Sequence, residues 1–240
     1  MKGKQLATTA IQTINNELRK FPDFDERVAV LFSGGRDSTI IATAFCNAFP
    51  QGELHLVFID NGVCNNIGEP HIQYENIKRL FPLSKITFET REIYELMNLV
   101  SIQEIESDFT KHNFSTLLAC VSCKLIMFNS ITQYAKENNI HYIVDGFSAR
   151  QQNFPEQTPA FMDMRQQIDT TMTYCSPLYD FLSERNSIIE TLKALGISDK
   201  HEASCMFAHS FSTAKADEII KYIHKSNAII CKHLQKGNTI

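Results

Sequence analysis

Between Val28 and Phe45 the sequence reads V-A-V-L-F-S-G-G-R-D-S-T-I-I-A-T-A-F, an apolar run broken by six residues that can do chemistry. Ser33 and Ser38 offer hydroxyl donors, Arg36 offers charge, and Gly34 and Gly35 allow positive φ and let a phosphate approach backbone without meeting a Cβ. Set between a strand and a helix, their N–H groups lie at a helix N-terminus, where unsatisfied donors and the helix dipole attract anions. Asp37 would repel a phosphate directly, so its roles are capping the helix or holding a magnesium ion that bridges phosphates. The second chemical set is sulfur: Cys46, Cys64, Cys120, Cys123, Cys175, Cys205 and Cys231. An odd number of cysteines without a secretory leader argues against a disulfide framework and for metal ligands or nucleophiles among them. Thiolates are soft ligands that suit iron–sulfur clusters and zinc.

These residues need a scaffold, and the hydrophobic rhythm supplies one. Val28–Phe32 is a short continuous apolar run, as in a parallel strand buried on both faces. Residues 37–49 read as a helix closed by Pro50, and E-L-H-L-V-F-I-D as a second buried strand ending at Asp60. Residues 5–19, 70–80, 91–107, 114–138, 184–195 and 213–234 carry helical patterning, while K-I-T-F-E-T and H-Y-I-V-D read as two more strands. Four β-runs alternating with helices predict an α/β fold with a doubly wound, mostly parallel sheet and helices on both faces. Ligands in such sheets bind outside the carboxyl ends of the strands, which makes Asp60 and Gly146 candidate nucleotide contacts. Residues 147–173 show no periodicity and are expected to form a long functional loop opened by Arg150, Gln151 and Gln152. The expected organisation is an N-terminal helix over 1–26, a nucleotide domain over 27–182, and a helical part over 183–240 packed on the same domain.

The loop is not a Walker A sequence. It resembles, residue for residue, the S-G-G-x-D-S signature of the PP-loop ATP pyrophosphatases (adenine nucleotide alpha hydrolase-like), which cleave ATP between the α and β phosphates, adenylate a carbonyl or carboxylate, and let a nucleophile displace AMP. That resemblance implies ATP and Mg2+ held by Ser33, Gly34, Gly35, Arg36, Asp37 and Ser38, with Ile59 to Asn61 near the adenine. A-C-V-S-C-K-L-I-M-F together with G-F-S-A-R is similar to the central region of the tRNA 2-thiouridylases and 2-thiocytidine synthetases. In the latter a C-x-x-C pair and one later cysteine hold a [4Fe-4S] cluster, and Cys120, Cys123 and Cys205 match that pattern. In the former two cysteines act, one as persulfide carrier and one as resolving thiol, which matches Cys123 and Cys205 and requires no cluster. Phe147 stands where that family has a histidine after glycine. Lys124 follows the pair where a phosphate can be reached, and Cys64 lies in a polar loop near the nucleotide. Cys46 and Cys175 read as packed residues.

The function expected is an ATP-dependent sulfurtransferase that adenylates a carbonyl oxygen of a nucleobase, in tRNA or a small molecule, and replaces it with sulfur. Catalysis would fall to Cys123, Cys205 and Asp37, with a sulfur donor protein such as a cysteine desulfurase as partner and a homodimer as the assembly. The alternatives are an amidating or nitrile-forming ligase similar to the 7-cyano-7-deazaguanine synthases, in which zinc would replace iron, and a nucleotide- or cluster-binding sensor without turnover. A net charge of −4 argues against a broad nucleic-acid footprint, which keeps small substrates open beside tRNA. No apolar run approaches the roughly 20 residues that span a bilayer, so a cytoplasmic location without membrane contact is expected.

Overall fold

The computed structural model describes residues 11–20, 24, 26–111, 117–180, 185–198, 203–205 and 215–235. Five strands, β1 (Arg27–Leu31), β2 (Glu53–Asp60), β4 (Lys85–Glu92), β5 (Tyr142–Val144) and β6 (Thr173–Cys175), form one sheet in the order β4-β2-β1-β5-β6. All four pairings are parallel, with Val28 opposite Leu54 on one side of β1 and Tyr142 on the other. From β1 the chain moves outward through β2 to β4, then returns to build β5 and β6 on the opposite side. The strand order therefore reverses between β1 and β5, and at that point the carboxyl ends of an open sheet leave a crevice.

Side-chain alternation sends successive strand residues to opposite faces, and both faces are covered. Val28, Val30, Leu54 and Leu56 join a core with Ile14 and Leu18 of α1 (residues 11–18), with α2 (Arg36–Ala48) and α3 (Glu69–Leu80), and with Ile188 and Leu192 of α8 (Arg185–Ala194). Ala29, Val57 and Ile59 point the other way, into a core with Val121, Leu125 and Phe128 of α6 (Leu117–Glu137), Phe161 of α7 (Pro159–Arg165), and Ile219 and Ile223 of α9 (Ala216–Gln235). β1 and the second half of β2 are buried on both faces, whereas the edge strand β4 is largely exposed and polar. The expected doubly wound α/β architecture is present.

Several elements differ from expectation. Residues 91–107 are not one helix: β4 runs on to Glu92, where it pairs with Asp60, and helix begins only at α4 (Tyr94–Met97). That helix widens into a π-helical turn over Asn98–Ile102, tied to α6 by the Ser101 and Ser122 hydroxyls 2.7 Å apart, before α5 (Ile105–Lys111). The 147–173 segment is organised, with 3-10 turns at Ala149–Gln151 and Pro155–Gln157 leading into α7 and then β6. A small two-stranded antiparallel sheet, β3 (Cys64–Asn65) with β7 (Ser204–Cys205), was also not foreseen. Of the predicted helices, residues 5–10, 114–116, 184 and 213–214 lie outside the described residues, and residue 19 is in a turn after α1.

The turn into β6 makes a pH prediction. Asp169 accepts from the Thr171 backbone N–H at 2.8 Å and pairs with Lys136 near the end of α6; the Lys136 ammonium first, then Thr171, hold its carboxyl down at about 2. A carboxyl depressed in the folded state adds stability that is present above its unfolded value and lost as pH falls through the folded one. The thermal midpoint should therefore fall between about pH 4 and pH 2 more steeply in the parent than in Asp169→Asn, as followed by circular dichroism.

Candidate functional site

β1 stops at Leu31, and the Phe32 N–H still reaches the Val57 carbonyl at 2.9 Å before the chain turns away. Gly34 takes φ +73°, and an added Cβ would stand 2.8 Å from the Pro70 Cα, so this position excludes any side chain twice over. Gly35 is extended (φ −69°, ψ 169°) and is the residue before α2, so only one of the two glycines uses positive φ. The loop is laced internally: Ser38 Oγ donates to the Gly35 carbonyl at 3.2 Å, Thr39 Oγ1 to the Gly34 carbonyl at 3.2 Å, and the Gly35 N–H to Ser33 Oγ at 3.3 Å. No side chain caps the helix, and Asp37 lies in its first turn.

The crevice holds two adjoining cavities. One, of about 400 Å3, is lined by Ser33, Gly35, Arg36, Asp37 and Ser38 of the loop, by Asp145, Gly146 and Ser148 beyond β5, and by Arg150. Gly146 closes it tightly: a Cβ there would meet the Asp37 Cβ at 3.0 Å and the Ser38 nitrogen at 3.2 Å. The other, of about 560 Å3, is lined by Phe58, Ile59 and Asn61 after β2 and by Cys64, Cys120, Cys123, Glu156 and Cys205. Leu31, Ser33, Lys124, Gln151 and Gln157 line both. The loop, the three cysteines singled out in the sequence and Gly146 thus meet at the reversal point of the sheet.

The thiols come from three segments. Cys120 and Cys123 share one face of α6 at a spacing of three, Cys205 is on β7, and Cys64 is directly opposite Cys205 in the ladder. Asn61 donates from Nδ2 to the Cys123 sulfur at 3.3 Å, while its Oδ1 accepts from the Val63 N–H at 3.0 Å. Burial pushes the Cys123 thiol up to about 11 against the opposing pull of the Lys124 charge and the Asn61 amide. Burial, then the charge of Glu156, raises Cys120; contact with the Cys205 sulfur, then burial, raises Cys64. Glu156 lines the same cavity with Oε2 buried and unpartnered, and burial raises its carboxyl. Lys124 is the cation at the junction, its Nζ 5.8 Å from the Phe147 ring centre and 3.7 Å from the Met127 sulfur. No three His, Cys, Asp or Glu side chains among the described residues are gathered as a group that could hold a metal ion.

Asp60 is placed differently from its neighbours. Its carboxylate accepts the Gly62 N–H at 2.9 Å and the Tyr94 hydroxyl at 2.7 Å, so it shapes the turn after β2, and Ile59 and Asn61 line the cavity instead. Phe147, at the place of the family's histidine, is buried against Phe128 and Phe161. Sequence reasoning missed Glu156 and Arg165, which lie in the segment without periodicity. Arg165 is buried, pairs with Asp145 and donates to Ser176 Oγ at 2.9 Å, holding α7 to the end of β5. A lone arginine among glutamines and methionines gives no sequence signal of burial. Among the described residues no helix is long and apolar enough to cross a membrane.

No family model matches the chain, and no curated protein matches it. Solved structures do. The U34-tRNA thiolase NcsA from Methanococcus maripaludis, determined with its [4Fe-4S] cluster, superposes with a TM-score of 0.56 at 12% identity over 97% of this chain and 79% of its own. An NH3-dependent NAD synthetase from Campylobacter jejuni subsp. jejuni gives 0.54 at 14% identity, and an NMN synthetase from Francisella tularensis gives 0.52 at 13%; each covers 100% of this chain and 98% of its own. With the strand order β4-β2-β1-β5-β6 and S-G-G-R-D-S at the β1 to α2 turn, this chain has the fold of these three structures.

Proposed function

We propose that the protein is an ATP-dependent sulfurtransferase that adenylates a carbonyl oxygen of a nucleobase, in tRNA or as a small molecule, and replaces that oxygen with sulfur. One observation carries the reading: the cavity lined by the S-G-G-R-D-S loop shares Ser33 and Lys124 with a cavity lined by four thiols. The loop N–H groups at the α2 N-terminus, with Ser33, Ser38 and Arg36, bind the phosphates, and Asp37 holds the Mg2+ that offsets their charge. ATP adenine rests on the apolar wall near Ile59. Lys124, at the junction, faces the α-phosphate as the carbonyl oxygen attacks and pyrophosphate leaves. A sulfur nucleophile from the neighbouring cavity then attacks the activated carbon, the C–O bond breaks, and AMP departs.

Cys120, Cys123 and Cys205 line one cavity of about 560 Å3, and their soft thiolates are the donor type that iron–sulfur clusters take, which supports a [4Fe-4S] cluster as the group they would hold. Held by Cys120, Cys123 and Cys205, such a cluster would supply the sulfide that replaces the activated oxygen. The chain's own part is to hold it beside the phosphates, to exclude water with Phe58, Met97 and Met127, and to keep Lys124 between thiols and phosphate. The amidating-ligase reading explains the ATP loop but leaves four thiols lining the acceptor cavity without a task.

Anaerobic reconstitution with iron and sulfide should give a brown protein with about four irons per chain, and Cys120→Ala, Cys123→Ala and Cys205→Ala should each lose them. With unfractionated tRNA or free pyrimidine bases as probes, AMP release and multiple turnover should then require both iron and sulfide. A colourless protein whose turnover survives Cys120→Ala would overturn the cluster assignment in favour of a persulfide. Turnover driven by ammonium and indifferent to sulfide would overturn sulfur transfer itself.

A further inference from the structure

The resemblance that selects Cys120, Cys123 and Cys205 gives Cys64 no part, yet Cys64 is the residue set directly against Cys205. The two-residue ladder pairs Cys64 with Cys205 and Asn65 with Ser204, antiparallel. Residues directly opposite in such a ladder have Cα atoms about 4.5–5.5 Å apart, inside the roughly 4.4–6.8 Å that a disulfide spans. Both residues are half-buried and both line the thiol cavity, so a small oxidant has a route to them. Cys120 and Cys123 lie within one continuous helix, where bridging would have to distort the α6 backbone. Cys46 and Cys175 are buried in the core on the other face of the sheet.

We propose that Cys64 and Cys205 form a reversible dithiol–disulfide pair, and that its oxidation removes Cys205 from the sulfur chemistry of the cavity. The co-reactant is a small disulfide of the glutathione class. One protein thiolate attacks it and releases one small thiol; the second protein thiolate attacks the mixed disulfide and releases the other. The Cys64–Cys205 S–S bond forms, the small disulfide's S–S bond breaks, and two electrons and two protons pass to the two released thiols. A dithiol reductant reverses the exchange. With both sulfurs in one bond, Cys205 can neither ligate iron nor carry sulfur; only this consequence rests on the proposed function, and the bond itself does not. Closure would also add a covalent tie between β3 and β7 beside the cavity.

The test uses the full chain, reduced and then equilibrated anaerobically with oxidised and reduced glutathione, quenched with acid, alkylated and mapped by mass spectrometry. A peptide joining Cys64 to Cys205 is expected, present in Cys231→Ser and Cys123→Ser and absent from Cys64→Ser. On later reconstitution, the oxidised parent should take up about tenfold less iron than the reduced parent, while Cys64→Ser takes up iron equally after either treatment. Glutathione adducts confined to Cys231, or a Cys120–Cys123 link in place of the expected one, would overturn the proposal, and this mapping needs no variant to fold. If the linked peptide forms but the reduced parent binds no iron, the pair stands and the cluster reading fails.

Discussion

Gly34→Ala should reduce ATP affinity by at least about a hundredfold, or about 2.7 kcal/mol, while leaving the rest of the chain folded. Two independent costs meet at this position. The backbone sits at φ +73°, where a non-glycine residue costs roughly 1–2 kcal/mol. The new methyl would lie 2.8 Å from the Pro70 Cα and 3.0 Å from its nitrogen, and these are backbone atoms at the start of α3 that cannot rotate aside. The loop can relieve the clash only by moving off α3, which turns its N–H groups away from the phosphates they would bind. Ser33→Ala is the matched control: it deletes one hydroxyl at the rim of the loop and should cost about 0.5–1.5 kcal/mol, a few-fold in affinity. Calorimetric titration with a non-hydrolysable ATP analogue separates the two, and circular dichroism checks the fold. Parent-like binding by Gly34→Ala would mean that the loop does not cradle phosphate.

How far the sequence carried the structure depended on what holds each part in place. V-A-V-L-F and E-L-H-L-V-F-I-D were legible as strands because both faces are buried, and S-G-G-R-D-S was legible because its constraints are local. β6 was not legible: T-Y-C takes its extended form from the open edge of β5, with the Thr173 N–H on the His141 carbonyl and the Asp145 N–H on the Cys175 carbonyl. The 147–173 segment lacks periodicity because it is made of short turns and one seven-residue helix, so its buried apolar anchors Phe147, Phe161 and Met172 are widely spaced and polar side chains hold the turns between them. Thr158 caps α7, and the Gln157 Oε1 accepts the Ser148 N–H at 3.0 Å. In the site, the C-x-x-C pair announced itself by spacing, whereas the apposition of Cys64 and Cys205 depends on a ladder between residues far apart in sequence. Asp60 shows the converse: its strand-end position was readable, but not that Tyr94 and Gly62 would occupy its oxygens.

Arg165→Ala should destabilise the protein by about 3–5 kcal/mol, because it leaves the Asp145 carboxylate buried without its cation. The two side chains are 2% and 1% exposed, so water cannot replace the lost partner. Asp145 also accepts the Phe147 N–H at 3.0 Å and the Ser176 hydroxyl at 2.6 Å, and those bonds fix the backbone that carries Gly146 against Asp37 and Ser38. The guanidinium lies among aromatic rings, 5.2 Å from the centre of Phe128 and 5.7 Å from that of Tyr174, so truncation also empties packed space. For a chain of this size each kcal/mol moves the thermal midpoint by roughly 2–4 °C, giving a fall on the order of 10 °C. Arg165→Lys keeps the charge but loses the planar fork and should fall between parent and Arg165→Ala. The double variant Asp145→Asn with Arg165→Met should recover much of the loss, since no unpaired charge remains buried. A loss below about 1 kcal/mol in Arg165→Ala would show that the pair does not anchor α7. Measured well below its midpoint, the same variant should also bind ATP more weakly, because the end of β5 that presses on the phosphate loop is then held by hydrogen bonds alone.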